Sequence, residues 1–121
     1  MSTVYTKESF VSTMSITNAA EKVIEVLGER LTMMVTGHKN SEDFDIWSQG
    51  IYLYDDHARR LKSALRAIRE LKIDTKDSDI KIWFFKANPY LSNKAPYIVL
   101  NRKQFDLMGY AILQAAKNHV K

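Results

Sequence analysis

Residues 57–72, HARRLKSALRAIRELK, leave this chain few ways to fold. Ala58, Leu61, Leu65 and Ile68 recur at i, i+3, i+7 and i+10, which is one stripe of an α-helix. Arg59, Lys62, Arg66 and Arg69 repeat with the same period on a different face. Asp55 or Asp56 stands where an N-cap can accept from the first free N–H groups. A helix so marked must lay its apolar stripe on other elements. With 121 residues, 45% of them hydrophobic, the chain has the material for one core.

The neighbouring segments read as partners of the same kind. Asn18 is placed as an N-cap with Glu21 three residues on, and Ala19, Val23, Val26 and Leu27 follow at helical spacing to a break at Gly28. ERLTMMVT gives a second short helix ending at Gly37. After the turn HKN, Ser41 is expected to cap a third, with Phe44 and Trp47 inward and Gly50 closing it. IKIWFFK (80–86) suits a strand or a buried helix. Helix is expected, because IYLY (51–54) is the only other β-prone run and two short strands make no stable sheet.

WFFKANPYLSNKAP (83–96) then reads as a folded corner. Proline restricts the residue before it, so the helix ends near Ala87 or Asn88. Pro89 begins a tight turn, and Pro96 suits the first position of the next helix. Trp83 and Phe84 are too large to leave exposed cheaply and are expected beneath the turn. A last helix runs through 103–120, its stripe formed by Phe105, Met108, Ile112 and Ala115. Its small residues Ala111 and Ala116 permit close approach. The expected fold is all-α: a compact multi-helix domain of about seven helices. Residues 1–17 form an arm able to dock Phe10 and Val11, 18–72 a helix-turn-helix-like half, and 73–121 a second helical half.

Composition narrows the function. Eighteen Lys and Arg against fourteen Asp and Glu give +4, which permits nucleic-acid contact without demanding it. There is no cysteine, hence no disulfide, thiolate metal site or thiol nucleophile. No Gly-rich phosphate loop, nucleophile elbow or HExxH motif is present, so neither cofactor nor enzyme is expected. DDH (55–57) is more simply a helix cap than a metal site. No apolar run approaches a membrane span, and a cytoplasmic protein with no membrane contact is the expectation.

Two binding readings remain. The turn Lys39, Asn40, Ser41 before the third helix has helix-turn-helix spacing, which a plain helical bundle shares. Glu42, Asp43 and Asp45 would oppose DNA phosphates there. The stripe Arg59, Lys62, Arg66, with Arg60 at its edge, is the better anion-binding face. Its plainer alternative is a solvated surface.

VLGERLTMMVTGHKNSEDFDIWSQG followed by ARRLKSALRAIREL resembles the Xre-like half of the Xre/MbcA/ParS antitoxin family. WFFKANPYLSNKAPYIVL followed by LMGYAILQAA resembles its toxin-binding half. The resemblance implies a bacterial or phage regulator, usually a homodimer, that neutralises a cognate toxin, often of the RES type, and binds operator DNA. It places DNA reading at Lys39 through Trp47. It places partner binding at Asn88, Pro89, Leu91, Pro96 and Leu100 and on the final helix, whose tail carries Lys117, His119 and Lys121. The alternative is a stand-alone adaptor module that has kept the fold and lost operator recognition.

Overall fold

The structure, a computed structural model, describes residue 11 and residues 14–49, 55–102 and 105–119, the last with backbone alone at 105–108. Phe10, Gly50, the run 51–54, Lys121 and the side chains of Phe105 and Met108 lie outside the described residues.

The fold is all-α. Six α-helices are described: α1 (Ile16–Thr36), α2 (Ser41–Ser48), α3 (Asp56–Leu71), α4 (Asp77–Phe85), α5 (Pro96–Leu100) and α6 (Phe105–Lys117). A 3₁₀ turn, Pro89–Leu91, joins α4 to α5. Among the described residues there is no strand, only one isolated bridge between Asn88 and Lys94. Both stretches that read as halves contribute to one continuous core.

α1 begins earlier than expected. Its cap is Ser15, whose hydroxyl accepts from Asn18 N–H at 3.1 Å, so Asn18 lies inside the first turn. The anticipated capping box is thereby corrected. Ile16 is already buried, and the helix starts where burial starts. Val11 is fully buried, as the docking reading required. The break at Gly28 is real: φ 81°, ψ 161° lies far outside helical space, and one helix bends there into two arms. Thr32 Oγ1 donates to the Gly28 carbonyl at 2.7 Å, satisfying a group that the bend exposes. Gly37 ends α1 in the left-handed region at φ 85°. Its N–H and that of His38 both reach the Met33 carbonyl.

α2 is capped by Asn40 rather than Ser41. Asn40 Oδ1 accepts from Asp43 N–H at 2.8 Å while its amide donates to the Asp43 carboxylate. Phe44 and Trp47 face inward as expected.

α3 lies between α1 and α6, its two main neighbours. Leu61, Leu65 and Ile68 are buried, each stabilising the fold by roughly 1.5–3 kcal/mol through removal from water. Its other sides are covered too. Ala64, Ala67 and Leu71 are buried, and Ser63 meets Gly109 of α6 so closely that a Cβ on the glycine would stand 2.9 Å from the serine hydroxyl. α4 buries Ile80, Trp83 and Phe84, the two aromatic rings edge-to-face at 5.1 Å. α6 buries Ile112, Leu113, Ala115 and Ala116 within the chain, so its small residues serve internal packing.

Candidate functional site: a polar knot and a stiff corner

Two chain reversals are held by clusters of side-chain hydrogen bonds. The first surrounds Thr36, at the end of α1. Asp55 caps α3 through Oδ1, which accepts from Ala58 N–H at 2.7 Å, and through Oδ2 it accepts the Trp47 indole N–H at 2.8 Å. One carboxylate thus fixes α2 against α3, and DDH works as a cap as expected. No group of three or more His, Asp or Glu is placed to hold a metal ion among the described residues.

In the first turn of α3, His57 Nδ1 lies 2.6 Å from the Thr36 carbonyl, an acceptor, so that nitrogen carries the proton. Arg60 Nη1 reaches the same carbonyl at 3.5 Å, and its Nη2 donates to the Arg102 carbonyl at 3.2 Å. Asn101 Nδ2 donates to the Met34 carbonyl. These bonds tie the loop after α5 to α1 and α3.

His38 stacks on His57 with ring centroids 4.0 Å apart and planes 25° apart, and its Nδ1 lies 2.6 Å from the Thr36 hydroxyl. That hydroxyl also reaches the Met33 carbonyl at 3.1 Å. A neutral His38 with its proton on Nδ1 satisfies both contacts. Burial holds the His38 pKa down at about 4, reinforced by the neighbouring His57 and by Arg60, while Asp55 and Asp43 pull the other way.

The basic stripe needs correction as a surface. Arg60 is 9% exposed and Lys62 7%, both drawn into the packing of α3. Arg66 is half-buried; of the stripe residues expected to meet phosphate only Arg59 is well exposed, and it lies 3.8 Å from Asp56. Burial, with Arg66 adding like-charge repulsion, lowers the Lys62 pKa. Lys39, Asn40 and Ser41 are exposed, but so are Glu42, Asp43 and Asp45 beside them, with Ile46.

The second reversal is the corner after α4. Asn88 organises it. Its N–H donates to the Lys94 carbonyl, its own carbonyl accepts from Leu91 and Asn93, and its side-chain oxygen accepts from Tyr90 N–H at 2.9 Å. At 8% exposure its side chain is part of the frame. Ser92 and Asn93 follow at φ 56° and 61°, a left-handed pair that costs about 1–3 kcal/mol per residue and persists because Asn88 holds both ends. Pro96 takes the first position of α5, as expected.

Of the anticipated partner residues, Asn88, Leu91, Pro96 and Leu100 are therefore buried, and Pro89 is exposed. Lys117 is exposed, and His119 lines an open cleft of about 590 Å³ with Lys76, Asp79, Ile82 and Lys86. What the sequence reading missed is the outer side of the corner: Tyr90, Lys94 and Arg102, which share a pocket of about 270 Å³ with Leu91, Ser92, Val99 and Ala111. It missed the His38–His57 stack as well. Those residues are 19 positions apart, and no periodicity links them. No protein-family model, no curated protein and no solved structure matches this chain.

Proposed function

We propose that the chain is an antitoxin-like binding protein whose C-terminal half neutralises a toxin of the RES type, as the resemblance to the Xre/MbcA/ParS antitoxins implies. The observation that carries this reading is the corner. Its motif residues Asn88, Leu91, Pro96 and Leu100 are spent on making a stiff, partly strained mount. Tyr90, Lys94 and Arg102 remain outward on that mount. A rigid surface loses little entropy on docking, which favours protein recognition. The test is co-expression with the product of the neighbouring open reading frame. Growth rescue and a co-purifying complex are expected. A toxic neighbour that the chain neither binds nor restrains would overturn the reading.

Operator binding is the less supported part of the same reading. The exposed side of α2 is acidic, and Arg60 and Lys62 are occupied inside the fold. These observations favour the adaptor alternative over autoregulation. Fluorescence anisotropy with the DNA upstream of the gene decides between them: binding that weakens with salt restores autoregulation, and none at low salt leaves the adaptor. The homodimer belongs to this proposal too. Sedimentation equilibrium separates it from a monomer of 14.0 kDa.

A further inference from the structure

The corner pocket has a composition that selects its occupant. Its buried lining is aliphatic, Leu91 and Val99 with Ala111 beside them, while Tyr90, Lys94 and Arg102 are exposed at its rim. No carboxylate is among the described lining residues. Neither Lys94 nor Arg102 forms an ion pair among the described residues. The rim is not a loose loop. The Arg102 carbonyl is held by Arg60, and its neighbour Asn101 is tied to Met34. Lys94 is fixed by the bridge to Asn88.

Size and charge then act together. At about 270 Å³ the pocket falls below the range of roughly 300–1,000 Å³ usual for whole small-molecule ligands, and it suits one inserted side chain. Two cations on the exposed rim call for carboxylates beside that side chain, on a chain that continues across the surface. A single-stranded nucleic acid fits less well, because Tyr90 is the one aromatic among the described lining residues and two cations do not track a backbone.

We infer that this pocket docks an acidic segment of a partner protein, which inserts one aromatic or branched apolar side chain and sets its flanking carboxylates against Lys94 and Arg102. The inference rests on the reading that the C-terminal half binds a protein, and it names the chemistry of that partner.

The probe is the blocked peptide Asp-Asp-Phe-Asp-Asp, titrated into the isotopically labelled full chain and followed by amide chemical shifts. Shifts confined to the turn after Asn88, to Val99–Arg102 and to the α6 residues around Ala111 are expected. The Asn-Asn-Phe-Asn-Asn analogue and the Lys94→Glu, Arg102→Glu double variant should each bind about tenfold more weakly, because exposed ion pairs are individually modest. Ala111→Leu, which fills the pocket from α6, should remove the phenylalanine-dependent part while the circular dichroism stays helical. Equal binding of the acidic and amide peptides, or unchanged binding to the double variant, would overturn the inference. So would a four-nucleotide thymidine oligomer that shifts the same amides at lower concentration. Toxin protection is read separately. Peptide binding by a chain that restrains no toxin removes the antitoxin reading and leaves the pocket standing.

Discussion

The knot at Thr36 and the corner at Asn88 both reverse the chain between helices, yet they are held in opposite ways. At the corner, every bond to Asn88 comes from a residue within six positions of it. At the knot, the Thr36 carbonyl is met by His57 and Arg60, 21 and 24 positions away. The corner is set by local chemistry and two prolines. The knot exists only once α1 and α3 have met. The corner is therefore suited to presenting a fixed surface, whereas the knot joins two helices through bonds between residues far apart in the sequence.

The sharpest way to break the comparison is from beneath the corner. Trp83 is 6% exposed and stacks edge-to-face on Phe84, so Trp83→Ala should cost about 3–5 kcal/mol. Chemical denaturation would measure it. A loss under 1 kcal/mol would mean that the corner does not depend on its aromatic base.

Asn88→Ala is next. It removes the acceptor for Tyr90 N–H and releases the left-handed pair, at an expected cost of about 2 kcal/mol. Asn88→Asp keeps the acceptor and should recover most of that stability. If both variants lose equally, the side-chain oxygen is not what holds the turn.

This contrast also explains what the sequence disclosed. The corner was legible because Asn-Pro and Ala-Pro carry their geometry in single residues, and the size of Trp83 and Phe84 announced their burial. The stripe on α3 was legible for the same local reason. The basic stripe was misread because charge marks a surface only where the side chain stays outside, and here Arg60 turns inward to the Thr36 and Arg102 carbonyls while Lys62 is buried. Ser63, Ala64 and Ala67 mark a further buried side of α3, where Ser63 meets Gly109 of α6. The caps at Ser15 and Asn40 each lay within three residues of a chemically equivalent rival. Burial of Ile16 decided the first, and the reciprocal bonds between Asn40 and Asp43 decided the second. The His38–His57 stack had no local signature at all.

Acid should separate the two reversals. The folded-state pKa of His38, about 4, lies below the unfolded value of 6.5, so the neutral ring is the form the fold prefers. Its contribution is present above pH 6.5 and is lost as pH falls from 6.5 toward 4, because only the unfolded chain takes up the proton in that window. The full shift would correspond to ~3 kcal/mol; solvent access to a half-buried ring reduces that to about 1–2 kcal/mol. His38→Gln should flatten the decline, and Asn88→Ala should leave its slope unchanged. An identical pH profile for wild type and His38→Gln would show that other groups govern acid stability.

The smallest effect expected is at Pro89, and it separates mount from contact. Pro89 is exposed and opens the 3₁₀ turn, where its ring presets φ without any hydrogen bond of its own. Replacing it by Ala leaves the Asn88 bonds available and mainly enlarges the freedom of the unfolded chain, so stability should fall by only about 0.4–1 kcal/mol. If the corner acts as a stiff mount, affinity for the acidic peptide should drop modestly, by about twofold, through the extra ordering required on docking. The peptide's amide-shift pattern should stay where it was. A large affinity loss with unchanged stability would mean that the proline ring itself touches the ligand, and Pro89 would then join Tyr90, Lys94 and Arg102 on the contact surface.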